Sequence, residues 1–308
     1  MQPEPETLTA EFNTLAHVAR DPALELRKKA KRKALTVFLA GKLIELDTDN
    51  VKAYRNMYYC NSALEQDGQE LKEATYCKNR LCAVCGAIKT ANLINGYMPE
   101  LKKMSDPIFL TLTIKAVEGR FLKTAINRMN ATIRQIQKHL TKYHKVKLFG
   151  LRKLECNYNP KKNTYNPHYH FIIDGEAKAE LLRKMWLQYN PTCDPRAQKA
   201  IPADMDTMIE LFKYATKIIA KDGLIHALQI DVIYTALRHK RTIQSMGIKK
   251  QVDEDEREKV IYDHLAPDNT NWIWNQEATD WINQETGECL TGFTPDKELK
   301  LLFEQLRE

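Results

Sequence analysis

The chain has 308 residues, 43% of them hydrophobic and 28% charged, enough for one large or two moderate globular domains with real cores. No run approaches the roughly 20 apolar residues a membrane span needs, and the opening MQPEPETLTAEF is acidic where a signal peptide is basic and then apolar. A net charge of +7 favours an anionic partner, and seven cysteines in a chain read as cytoplasmic suggest metal or chemistry before disulfides.

Leu24, Leu26, Ala30, Leu35, Phe38 and Leu39, continued by Leu43, Ile44 and Leu46, predict an N-terminal helical region through the basic run RKKAKRKA. That run suits a solvated helix face as well as a contact to nucleic acid. A cysteine-bearing segment, 60–85, and a helix over 87–103 follow, until Ser105-Asp106-Pro107 ends the pattern. Residues 109–114 alternate apolar side chains with threonine and predict a strand. Leu122, Ile126, Met129, Ile133, Ile136 and Leu140 then form a narrow apolar stripe at helical spacing. Residues 149–158 and 165–174 read as strands around the turn-rich 159–163. Helices are expected over 176–188 and 206–220, and a closing strand over 228–234. This order fits an α+β fold, an antiparallel sheet with helices on one face. Beyond Lys240, the acidic run 253–258 reads as a solvated linker or helix, and Trp272, Trp274 and Trp281 as a small local core. There is no internal repeat.

Charge is distributed unevenly. Residues 119–154 contain no Asp or Glu but carry Arg120, Lys123, Arg128, Arg134, Lys138, Lys142, Lys145, Lys147, Arg152 and Lys153. Such a segment is the footprint expected of a phosphate-backbone binder.

Three groups of residues carry chemistry. Cys77, Cys82 and Cys85, with Cys60 upstream, have the spacing of a four-thiolate structural zinc site, and Lys78, Arg80 and Lys89 would offset its charge. Cys156, Cys193 and Cys289 are scattered and read as small apolar residues. His168 and His170 alternate with Tyr169, so both imidazoles share one face of a strand. If Tyr158 pairs with Tyr165, Glu155 falls opposite His168 and completes a His, His, Glu set suited to Mg2+ or Mn2+. On the 206–220 helix, Glu210, Tyr214 and Lys217 fall on one face, opposite the apolar Met208, Leu211, Phe212, Ala215 and Ile219.

With Phe109-Leu110-Thr111-Leu112-Thr113, Pro167-His168-Tyr169-His170, Glu210-Leu211-Phe212-Lys213-Tyr214 and the segment Cys77 to Cys85, the sequence resembles the HUH endonuclease superfamily. Within it, the similarity is to the single-tyrosine rolling-circle replication initiators of small bacterial plasmids, and it covers residues 60–250; Ala83 stands where such initiators often have proline. The resemblance implies a ferredoxin-like (RRM-like) antiparallel catalytic sheet. His168 and His170, with Glu155, would hold the catalytic Mg2+ or Mn2+, and Tyr214 would be the nucleophile that becomes 5′-phosphotyrosyl while a 3′-OH primer is released. Glu210 would activate water for termination, and Lys217 would contact a phosphate or the leaving oxygen. Implied partners are plasmid origin DNA, single-stranded at the nick, and a host helicase and polymerase, in the bacterial cytoplasm. The expected division is a helical N-terminal region with the zinc site over 1–104, the HUH endonuclease domain over 105–245, and a C-terminal extension over 246–308. An HUH transposase and a non-catalytic zinc-stabilised DNA-binding protein stay open beside this reading. In conjugative relaxases the tyrosine precedes the histidines, the reverse of the order here.

Overall fold

A computed structural model describes residues 21–73, 75–213, 225–251, 265 and 269–305. Tyr214, Lys217 and the acidic run 253–258 lie outside the described residues. In chain order the elements are α1 (Pro22–Glu45), α2 (Val51–Tyr58), β1 (Ala63–Asp67), β2 (Glu70–Glu73), α3 (Ala83–Leu101), β3 (Pro107–Thr113), α4 (Gly119–Tyr143), β4 (Gly150–Asn159), β5 (Thr164–Asp174) and α5 (Glu176–Tyr189). They continue with β6 (Ala200–Pro202), α6 (Met205–Phe212), α7 (Ala227–Leu237), β7 (Ile243–Met246), β8 (Asn271–Asn275), β9 (Asp280–Asn283) and α8 (Lys297–Gln305). The fold is α+β, with two antiparallel sheets among the described residues.

The larger sheet has the order β6-β3-β5-β4-β7. Its centre is the β4–β5 hairpin, in the expected register: Tyr158 faces Tyr165 and Glu155 faces His168. Gly150 opens β4 because the backbones meet closely there; a Cβ would stand 1.9 Å from the Ile172 carbonyl oxygen. The even positions Leu154, Leu110 and Leu112 and the odd positions Tyr169, Phe171 and Ile173 enter one core with the apolar stripe of α4. Each such side chain contributes about 1.5–3 kcal/mol when fully buried. Leu182 and Trp186 of α5, and Ile233 and Leu237 of α7, complete this layer.

The other face is covered too, contrary to the expectation of helices on one side. Leu151 and Ile172 bury beneath Met208, Leu211 and Phe212 of α6 and Leu93 and Met98 of α3. The burial pattern explains this: the run from Gly150 to Leu154 is buried at consecutive positions, as in a strand packed on both faces.

A second correction concerns 228–234, read as a strand and found inside α7. Ile230 packs into the cluster around α1 and α2 while Ile233 packs under the large sheet. A helix wedged between two cores is apolar around much of its circumference, so no single stripe betrays it. The closing strand is β7, which pairs with β4 through Leu151, Arg152 and Lys153.

The smaller sheet, β2-β1-β8-β9, joins the two ends of the described chain: Leu64 pairs with Trp272. Trp272 and Trp281 bury against Leu26, Ala30 and Leu64, the local core expected of the tryptophans. Phe38 of α1 stacks on Phe303 of α8, with ring centroids 3.8 Å apart. The basic run of α1 is thereby partly consumed, with Lys31 2.8 Å from Asp296 and Lys33 fully buried.

Candidate functional site

Two groups of ligand-capable side chains converge among the described residues. In each, one donor atom per residue lies within 4.8 Å of the others.

The first is Cys60, Cys77, Cys82 and Cys85. Cys60 follows α2, Cys77 precedes a turn in which Lys78 takes φ 54°, and Cys82 and Cys85 sit at the start of α3. Cys82 is the helix cap; its Sγ accepts from the Cys85 backbone N–H at 3.4 Å. Sγ separations of 3.5 Å (Cys60–Cys85) and 3.7 Å (Cys77–Cys85) match the edge of a tetrahedron with Zn–S bonds of about 2.3 Å. The donor set therefore fits zinc. Hydrogen bonds from Cys60, Cys77 and Cys85 pull the Cys82 thiol far below its ordinary pKa, so one thiolate is held ready.

Lys33 underlies this centre. Its ammonium donates to the carbonyls of Tyr58 (2.8 Å) and Cys60 (2.7 Å) and to the Ser62 hydroxyl (2.8 Å). Three acceptors satisfy all three of its protons. Burial lowers its pKa to about 8, and the neighbouring Cys60, Cys82 and Cys77 oppose that drop. The sequence had offered Lys78, Arg80 and Lys89 as the balancing charges; the buried cation beside the thiols is Lys33.

The second group is Glu155, His168 and His170, on the sheet face that α3 and α6 cover. His168 Nε2 lies 3.5 Å and His170 Nε2 3.8 Å from Glu155 Oε2. His168 Nδ1 donates to the Asn166 carbonyl at 3.0 Å, which orients the ring with Nε2 towards the carboxylate. Thr111 Oγ1 shares a 3.1 Å hydrogen bond with His170 Nδ1, and Phe109 stacks on that ring with centroids 5.0 Å apart. Both come from β3, so the threonine-rich strand orients the His170 imidazole. Two oriented imidazoles and a carboxylate are a donor set for a divalent ion with open positions left over. His168 is 6% exposed, whereas the His170 and Glu155 side chains remain 21% and 24% exposed.

Lys153 completes this centre and was missed as a site residue. Its Nζ lies 2.5 Å from Glu155 Oε1 and donates to the Lys213 carbonyl at 2.6 Å. Burial pushes the Glu155 carboxyl up, but the bond to His168 and the Lys153 ammonium overcome it and hold the group well below the usual carboxylate range. The only sequence signal was a lysine two residues before the glutamate, hence on the same face. Arg152 is also buried, over the Tyr169 ring at 5.4 Å, so two cations of the 119–154 run serve the interior.

Of the three residues expected on one helix face, Glu210 is described. It is exposed and ion-paired to Lys213 at 2.5 Å. The described helix ends at Phe212, where Lys213 turns to ψ 107° and gives its carbonyl to Lys153. The rest of the helix expected over 206–220, with Tyr214 and Lys217, lies outside the described residues. Asp204 and Thr207 cap the start of α6 reciprocally, which fixes its entry onto the sheet.

A family profile described as replication protein matches residues 68–286, most of the chain. The chain is similar to the "Protein rep" of Streptococcus pneumoniae serotype 2, at 27% identity over 61% of this chain and 65% of that protein. It is 33% identical to the "Protein rep" of Staphylococcus aureus over 47% of this chain and 66% of that one. A Bacillus "Protein rep" is 28% identical over 60% of this chain and 73% of its own length. The match thus spans just under two thirds of the first two relatives. No solved structure matches the chain. The chain belongs to the replication-protein family, in agreement with the resemblance to rolling-circle plasmid initiators that its motifs carry.

Proposed function

We propose that the chain is a plasmid rolling-circle replication initiator that nicks origin DNA and transfers the strand through a 5′-phosphotyrosine. The observation that carries this reading is the convergence of Glu155, His168 and His170 on one oriented sheet face. In this reading the five-stranded sheet is the ferredoxin-like HUH sheet, and the chain divides into 1–104, 105–245 and 246–308.

A bound Mg2+ or Mn2+ would polarise the scissile phosphate and offset the charge that develops on it. Glu155, His168 and His170 would hold that ion, with Asn166 and Thr111 fixing the two rings. Tyr214 is the nucleophile: its phenolic oxygen bonds to phosphorus, the P–O3′ bond breaks, and the 3′-oxygen leaves to take up a proton as a 3′-OH. The 5′-phosphate stays on the tyrosine. Lys153 supports this assignment because it ties the carbonyl immediately before Tyr214 to Glu155. Glu210 would then activate water at termination, and Lys217 would steady a phosphate or the leaving oxygen. The four cysteines would hold structural Zn2+. A host polymerase would extend the primer and a host helicase would unwind ahead of it.

The test is incubation of the full chain with supercoiled plasmid bearing the cognate origin and Mn2+ or Mg2+. Open-circular DNA with protein attached to the 5′ end is expected, abolished by EDTA and by Tyr214→Phe. A Tyr214→Phe protein that still forms the adduct would remove the nucleophile assignment. Nicking that survives EDTA would remove the metal role.

A further inference from the structure

A cleft of about 620 Å3 opens at the β7 edge of the large sheet, and among the described residues four lysines and three arginines line it. Its walls come from distant parts of the chain. Lys78 and Arg80 lie on the turn between two cysteines of the thiol centre, and Arg238, Lys240 and Arg241 on the α7–β7 connection. Lys250 forms the far wall. Gly96 makes room for it, since a Cβ there would stand 2.5 Å from Lys250 Cγ. Arg80 donates through Nη2 to the Lys240 carbonyl at 3.4 Å, while its Nη1 is buried with no hydrogen-bond partner. Cations gathered in this way repel one another, and a polyanion relieves that cost.

Position decides which polyanion. Ile243 lines the cleft and is paired with Lys153, whose ammonium touches Glu155. Ile243 also belongs to the same buried layer as Leu151 and Ile172, so the cleft lies on the sheet face that carries the histidines. The helix α4, whose basic face the sequence offered as the phosphate binder, packs its apolar stripe on the opposite face of the sheet. A strand held on α4 would have to round a sheet edge to reach His168; one held in the cleft would not. Tyr97 and Tyr234 add aromatic side chains among the cations, the mixture that suits single strands.

We propose that this cleft binds the sugar–phosphate backbone of single-stranded DNA next to the bond presented to Glu155, His168 and His170. The proposal rests on the nickase reading for its substrate, but its site shares no residue with the metal or tyrosine machinery.

The experiment measures anisotropy of a labelled single-stranded oligonucleotide with the full chain across a salt series, alongside a duplex of the same sequence. The triple variant Arg238→Ala/Lys240→Ala/Arg241→Ala should bind the single strand at least about tenfold more weakly. Its plot of log affinity against log salt should be shallower by about 2, given roughly 0.7 per phosphate contact for single strands. Arg241→Glu alone, an exposed position, should show the same direction with unchanged thermal unfolding and cysteine-bound metal. The matched triple variant of α4, Lys123→Ala/Arg134→Ala/Lys138→Ala, should lose less. The cleft assignment is overturned if the cleft variants keep parental affinity and slope, if the α4 variant loses as much, or if only duplex binding falls. Adduct formation on supercoiled origin plasmid is scored separately: a parent protein that binds the oligonucleotide through the cleft but never forms the adduct refutes the nickase reading and leaves the cleft standing.

Discussion

The cysteine centre and the histidine centre each gather donor atoms within 4.8 Å, yet they are built from opposite materials. The thiols arrive on turns and helix starts from 26 residues of sequence, and Lys33 binds the carbonyls that shape one of those turns. The imidazoles and carboxylate stand on adjacent strands, where the pleat sets their spacing and neighbouring side chains set only ring orientation. Four thiolates fill a tetrahedral ion's coordination and close it off, whereas three donors on a partly exposed face leave positions for substrate. In the proposed reading the first arrangement serves stability and the second serves chemistry.

That contrast can be broken most easily at Cys82. Cys82→Ser should cost bound zinc and a large part of the N-terminal stability, because metal binding of this kind contributes on the order of 10 kcal/mol to small zinc modules. Elemental analysis with thermal unfolding checks it; an unchanged midpoint with metal lost would mean that the thiols are not a structural centre. Next in size, Glu155→Gln should slow adduct formation by about a hundredfold or more while the unfolding midpoint barely moves. A collapse of the fold instead would make the histidine centre structural as well, and erase the difference.

Lys153→Met sharpens the comparison rather than breaking it. Losing the part-buried bond to the Lys213 carbonyl should cost about 1 kcal/mol. Adduct formation should slow by about tenfold at saturating Mn2+ with the metal affinity changing less, the split expected of a positioning residue. Equal loss in both would assign Lys153 to the metal site alone. Glu210→Gln should have the smallest effect on fold and first cleavage. Its partner Lys213 is exposed, so the unfolding midpoint should not change, and slower release of the covalent intermediate should be the sole kinetic change, read by quenched time courses.

What the sequence disclosed follows from how local each signal was. The α4 stripe and the β4–β5 register could be read because a helix period and a hairpin turn are complete within a few dozen residues. The placement of Glu155 opposite His168 came with the register. Lys33 and Lys153 were not legible as buried, since a lysine in a basic run or on a strand looks like any surface cation until its acceptors are known. The strands β1 and β8 were missed because each is five residues long and acquires meaning from a partner about 200 residues away. The strand expected at 228–234 failed because two cores claim adjoining faces of α7.

The pairing of Leu64 with Trp272 also orders events in time. During synthesis β1 leaves the ribosome long before β8 exists, so its edge waits through the making of the entire larger sheet. Closing a loop of that length is slow compared with forming the β4–β5 hairpin. A nascent chain stalled near residue 250 would therefore carry a paired histidine hairpin and an unfinished second sheet with an open strand edge. Synthesis of β8 and β9 is what protects that edge from pairing with a neighbouring chain.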